Sequence, residues 1–274
     1  MSADHPFLDH PGPIPFAHRG GAEVQPENTM AAFQAAVALG YRYLETDVHA
    51  TADGVLVAFH DDRLERVTDG HGAVADLDWT EVRRARVAGR EPIVRFAELL
   101  AAFPGARINV DPKHDAAVRP LIEVVRDARA ADRVCVGSFS DARVVEIREA
   151  FGSAICTALG PWEIAALRAA AWGARPFLAR LRRRPGRCVQ VPRRGGWGLP
   201  LAEPRLIAAA HDLGLPVHVW TVNGAAEMAR LLDLGVDGLF TDVPGVLRTV
   251  LEGRREWHAT PGAPPPPRAA GPAE

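Results

Sequence analysis

Lysine is almost missing from this chain: Lys113 is the only one among 32 basic residues, and arginine supplies every other fixed positive charge. Cysteine is scarce too, with three in 274 residues. Cys135, Cys156 and Cys188 lie far apart, each inside an apolar run that reads as a strand. Their spacing is neither a disulfide framework nor a zinc motif, so buried free thiols are the expectation. Neither sign of charge is in excess. A formal net charge of -2 excludes a general nucleic-acid binder, since neutralising many phosphates requires a clearly basic surface. No apolar stretch approaches the ~20 residues of a membrane-spanning helix. Met1 to Pro15, broken by prolines and aspartates, holds no apolar core of signal-peptide length, so the expected location is cytoplasmic.

A hydrophobic fraction of 47% and a charged fraction of 24% are those of an ordinary folded domain. The division expected is an N-terminal extension over 1–13, one domain over 14–258 and a disordered tail over 259–274, where Pro, Gly and Ala dominate and no core can be buried. Within the domain, β-type apolar runs alternate with helical patterns. The strands read as Ile14–His18, Tyr41–Val48, Arg107–Asp111, Arg133–Gly137, Ala154–Ala158, Cys188–Val191, Val217–Thr221 and Gly238–Thr241. Helices are expected over Thr29–Leu39, with Thr29 as N-cap, and over Ala116–Ala131, Asp141–Phe151, Ile164–Leu181, Glu203–Leu213, Ala225–Leu234 and Val246–Leu251. A hairpin-like arm, Ala52 to Phe59, and a helix over Phe96–Phe103 fill the second unit. Eight strand–helix units in this length imply α/β architecture closed as a TIM (β/α)8 barrel, whose chemistry sits at the carboxyl ends of the strands.

Three clusters in the first quarter carry that chemistry: His18-Arg19, Glu45-Thr46-Asp47 and His60-Asp61. Glu45 and Asp47 are two apart on an extended segment, so both leave one face, where paired oxygens can hold a hard divalent cation. Structural ion pairs with Arg42 or Arg19 are the plainer alternative, but two acids in a strand buried on both faces are costly without a cation. His49 continues the same face as a candidate third ligand. Trp220, ending the seventh strand, offers a ring as a cavity wall or as core filling. Asn223 and Asp242 read as supporting residues. Glu27 and Asn28 suit helix capping, orientation of Arg19 or substrate contact. A cation and an arginine to neutralise charged oxygens, with an acid and a base of near-neutral pKa, are the parts that cleavage of a phosphodiester requires.

The order of motifs, His18-Arg19-Gly20, Pro26-Glu27-Asn28-Thr29, Glu45-Thr46-Asp47, Asp53-Gly54 and His60-Asp61, resembles the glycerophosphodiester phosphodiesterase family. It continues through Asn109-Val110-Asp111-Pro112-Lys113, Ser138-Phe139-Ser140, Trp220-Thr221-Val222-Asn223 and Thr241-Asp242-Val243-Pro244, covering roughly Ile14 to Leu251. The resemblance implies a (β/α)8 barrel that hydrolyses glycerophosphodiesters to sn-glycerol 3-phosphate and an alcohol. By that resemblance Glu45, Asp47 and Asp111 bind one divalent metal ion, Mg2+ or Ca2+. His18 and His60 act as acid and base, Arg19 and Lys113 hold the phosphate, and Trp220 walls the glycerol group. Asp111 departs from the family pattern, which has glutamate there, so the third ligand is one methylene shorter. A lysophospholipase D acting on single-chain lipids and a non-catalytic barrel binding phosphate esters are the alternatives.

Outside the pattern, the stretch from Ile164 to Ala202 carries Arg168, Arg175, Arg180, Arg182, Arg183, Arg184, Arg187, Arg193 and Arg194 without one acidic residue. Two readings stand: a solvated outer helix, or a surface for weak contact with an anionic membrane over 168–194.

Overall fold

The structure is a computed structural model describing residues 5–174, 186–195 and 201–259. Among the described residues, eight parallel strands alternate with eight outer helices. The strands are β1 (Ile14–Ala17), β2 (Tyr43–Ala50), β3 (Arg107–Pro112), β4 (Val134–Val136), β5 (Cys156–Thr157), β6 (Val189–Pro192), β7 (Val217–Trp220) and β8 (Gly238–Thr241). The helices are α1 (Met30–Ala38), α2 (Phe96–Ala102), α3 (Val118–Asp127), α4 (Asp141–Phe151), α5 (Pro161–Ala171), α6 (Pro204–His211), α7 (Ala225–Asp233) and α8 (Pro244–Gly253). Hydrogen bonding runs β6-β7-β8-β1-β2-β3-β4-β5, and a parallel bridge between Ala158 and Cys188 closes the ring between β5 and β6. The expected barrel is therefore present.

Each element has a local cause. Thr29 caps α1, its hydroxyl accepting from Ala32 N, as its position before an apolar run implies. Ser140 caps α4 in the same way through Arg143 N, and Pro161 opens α5, where a missing N–H costs nothing. In α3, Val118, Leu121, Ile122 and Val125 fall on one buried stripe against the outer face of the sheet. β2 is buried along its whole length, as a parallel strand covered on both faces must be.

Inside the barrel, every second residue of each strand points to the axis. The amino-terminal end is filled by Phe16, Tyr43 and Phe240, with Phe16 and Phe240 stacked at 4.1 Å. The residues before β1 are part of this packing: a short turn, Pro6–Leu8, drives Phe7 into the barrel floor at 0% exposure. Burying one such ring is worth ~1.5–3 kcal/mol. Arg107 locks the plug, its guanidinium donating to the carbonyls of Phe7 and Asp9.

The arm after β2 is larger than the hairpin over Ala52 to Phe59 that the sequence suggests. A strand, Leu56–Ala58, pairs antiparallel with the outer half of β2 and then with Val94–Arg95. The chain between them folds over a satellite core that includes Val57, Phe59, Leu64, Val74 and Val82. Its elements are single turns and two-residue strands, too short for any periodicity to show. The helix expected over Ile164–Leu181 is α5 in its first part; residues 175–185, with most of the arginine-rich stretch, lie outside the described residues, as does the tail from 260. No helix among the described residues is long and apolar enough to cross a membrane.

Candidate active site

β1 ends one residue short of His18, and the chain turns at once. Arg19 takes a left-handed conformation (φ 52°), followed by Gly20 and Gly21 at φ 81° and 88°. No side chain fits at either glycine: a Cβ on Gly20 would meet Ala32 and Phe33 of α1 at 2.9 Å, and one on Gly21 would meet Pro244 at 2.4 Å. The strain at Arg19 turns its backbone N–H onto Glu45 Oε2 at 2.9 Å and brings its guanidinium to Asp47 (3.1 Å) and Glu27 (3.0 Å). Glu27 therefore orients Arg19, while Asn28 accepts from the hydroxyl of Thr46.

Eight predicted residues line one cavity of about 490 Å3 at the carboxyl ends of the strands: His18, Arg19, Glu45, Asp47, His60, Asp111, Lys113 and Trp220. Each histidine is tied through Nδ1 to a carboxylate at 2.6 Å, His18 to Asp242 and His60 to Asp61. The opposite nitrogen of His18 lies 3.8 Å from Glu45 Oε2, and both rings line the cavity. Asp242 is itself held by Asn223, which donates to its carboxylate and accepts from its backbone N–H. Asp61 is clamped by Arg66, which also reaches Glu27 at 2.6 Å, so an ion-pair chain joins the arm to the turn after β1. Although partial burial alone would raise it, Arg66 and His60 hold the Asp61 carboxyl at about 2.

Lys113 bridges the acids, with Nζ 2.6 Å from Asp47 and 2.9 Å from Asp111. A compact ammonium fits this double contact where a planar fork would not. Even so, the acids remain incompletely satisfied. Asp47 Oδ2 and Asp111 Oδ1 are buried without a hydrogen-bond partner, the contact of Asp47 with Arg19 being an ion pair of poor angle. Burial pushes Glu45 up to about 7, with the Asp47 charge adding to it against the opposing His18. Burial also dominates the rise at Asp111. Orphaned oxygens on Asp47 and Asp111, beside the buried carboxylate of Glu45, are a donor set that suits a hard divalent cation. For His18, burial opposes charging, but Glu45 and Asp242 outweigh it and raise the pKa.

His49 does not join the acids. β2 continues past the barrel rim, and His49 instead contacts the backbone carbonyl of His60 at 3.0 Å, holding the arm that carries that histidine. Three participants were not singled out for these roles by sequence: Arg66, Gln190 and Phe139. Gln190 donates to Asn109 at 2.8 Å in the cavity floor. Phe139 meets Trp220 edge to face at 5.6 Å, forming a second aromatic wall. Only Phe139 had a signal, lying inside the Ser138-Phe139-Ser140 motif.

A (β/α)8 barrel with paired His–carboxylate dyads, buried acids and two cations around one cavity belongs to the class of barrel enzymes whose site is built from strand-end loops. Residues 18–246 match the model of the Glycerophosphoryl diester phosphodiesterase family, and the chain belongs to that family. A Mycobacterium tuberculosis protein named "Probable glycerophosphodiester phosphodiesterase 2" is 41% identical over 92% of this chain and 95% of its own. A lysophospholipase D of Mus musculus is 28% identical over 86% of this chain and 85% of its own. Among solved structures, a glycerophosphodiester phosphodiesterase of Agrobacterium tumefaciens shares the fold with a TM-score of 0.72 and 21% identity, covering 88% of this chain and 100% of that one. The family is metal-dependent.

Proposed function

We propose that this chain hydrolyses glycerophosphodiesters to sn-glycerol 3-phosphate and an alcohol, with His18 and His60 as proton carriers. The observation that carries the reading is that both histidines, each fixed through Nδ1 to a carboxylate at 2.6 Å, line the same cavity as Arg19 and Lys113. One histidine takes the proton of the attacking hydroxyl at the ring nitrogen opposite its carboxylate partner; the other returns a proton to the leaving alkoxide. Arg19 and Lys113 neutralise the phosphoryl oxygens. Glu45, Asp47 and Asp111 hold one divalent cation, Mg2+ or Ca2+, which when bound adds Lewis-acid stabilisation of the charge developing on phosphorus-bound oxygen. Trp220, with Phe139, walls the glycerol end.

A second reading keeps the chemistry and changes the substrate. Leu159, Pro161, Ile164, Val191 and Leu201 make one side of the cavity apolar, a surface suited to an acyl chain, and the mouse relative is named for cleavage of lysophospholipids. Turnover of glycerophosphocholine and of lysophosphatidylcholine, each with and without chelator, tests both. Hydrolysis of glycerophosphocholine that chelation abolishes supports the first reading, preference for the lysolipid supports the second, and turnover of neither removes both.

A further inference from the structure

Cys135 and Cys188 stand 53 residues apart in the chain, yet their sulfurs are 3.9 Å apart inside the barrel. Cys156 joins them, and the three Sγ atoms lie within 4.8 Å of one another. All three face the axis at 0% exposure, from β4, β5 and the residue that opens β6, next to the layer where Gln190 donates to Asn109. A tetrahedral zinc ion with Zn–S of about 2.3 Å holds its sulfurs about 3.8 Å apart, so the Cys135–Cys188 spacing is already that of a shared cation.

The neighbouring strand supplies an independent sign. His218 on β7 is 0% exposed, and neither ring nitrogen has a hydrogen-bond partner. A buried imidazole in that state is unfavourable unless something else engages it. His218 stands opposite Gln190 in the β6–β7 register, and Gln190 in turn reaches Cys135 Sγ at 4.0 Å. Gly238 leaves room for the ring: a Cβ there would meet His218 Cδ2 at 2.9 Å.

We propose that Cys135, Cys156 and Cys188 bind a zinc-class divalent cation in the barrel interior, separate from the oxygen-lined site of the reaction, with the unpartnered His218 turning in from the neighbouring strand as the fourth ligand. Three soft sulfurs and an imidazole select zinc over magnesium or calcium, which require oxygen. Binding releases the thiol protons to solvent and leaves a net negative charge, toward which the Gln190 amide, 4.0 Å from Cys135 Sγ, already points. The ion ties β4 through β7 across the Ala158–Cys188 bridge that closes the barrel.

The test uses the full chain without a histidine tag, produced with zinc in the medium and dialysed against EDTA. About one zinc per chain, measured by plasma mass spectrometry, should survive dialysis and be released as a mercurial titrates the thiols. Cys156→Ala and His218→Phe should each lose it, whereas Asp47→Asn should keep it. Should the core variants not fold, the parent grown with cobalt should show thiolate charge-transfer and tetrahedral ligand-field absorption. A zinc-free parent whose three thiols react at the same rate with and without added zinc overturns the proposal. So does zinc that persists undiminished in a folded Cys156→Ala.

Discussion

Replacing Asp242 by asparagine separates the orientation of His18 from its presence. Asp242 Oδ1 lies 2.6 Å from His18 Nδ1, so the proton belongs on Nδ1 and the lone pair on Nε2. An amide in that place offers N–H to Nδ1 as readily as it accepts, which favours the wrong tautomer. A hydrogen bond to a charged group is worth ~1.5–3 kcal/mol. The Asp242 side chain is 31% exposed, so solvent screening places the loss near the lower end, about 1.5–2 kcal/mol. At ~1.4 kcal/mol per decade, this is a fall in kcat of about 10- to 30-fold. The same change removes one of the two carboxylates that raise the His18 pKa against its burial, so that pKa should fall. The sign for stability follows. A folded pKa raised above the ordinary 6.5 contributes stability that is fully present below about pH 6.5 and lost as pH rises through the raised value. The variant's deficit in urea unfolding with EDTA should therefore be larger at pH 5.5 than at pH 8.5. A folded Asp242→Asn with kcat on glycerophosphocholine within twofold of the parent, and an unmoved His18 titration by NMR, would refute the argument.

His18→Ala and His60→Ala should each lower turnover ~100-fold or more while circular dichroism stays unchanged; a folded variant near the parent rate is not missing a proton carrier. A substrate with a good leaving group should rescue only the variant lacking the general acid, which assigns the two roles. Chelation should abolish hydrolysis, added Mg2+ or Ca2+ should restore it, and Asp111→Glu should keep substantial activity; full turnover after rigorous chelation removes the oxygen-site cation. Arg148 is a bidentate partner of Glu163, both side chains 8% exposed. Arg148→Met should destabilise the fold by ~3–5 kcal/mol in urea titration by stranding a buried carboxylate, and a loss under 1 kcal/mol would show that Glu163 finds another partner.

The eight barrel strands were legible because a parallel strand covered on both faces must be a short, continuous apolar run, and that composition survives in the sequence whatever surrounds it. Strand ends shifted by a residue or two where a turn competed, as at His18, which opens the turn after β1 rather than ending the strand. The residues proposed for the reaction were legible for a related reason. His18 and Arg19, Glu45 and Asp47, and Asp111 and Lys113 are each local pairs, so strand-end geometry alone brings them to one rim. Contacts that close over long loops left no local trace. Asp242 meets His18 across 224 residues, and Arg66 reaches Glu27 only because the arm packs back over the rim. The cysteines show the limit most plainly. Their spacing excluded every local zinc or disulfide motif, yet three inward-facing strand positions place their sulfurs within 4.8 Å of one another. Hydrophobic periodicity is a property of each segment by itself, whereas the height and azimuth of a side chain inside a barrel depend on the stagger of all eight strands, which is set only when the ring closes.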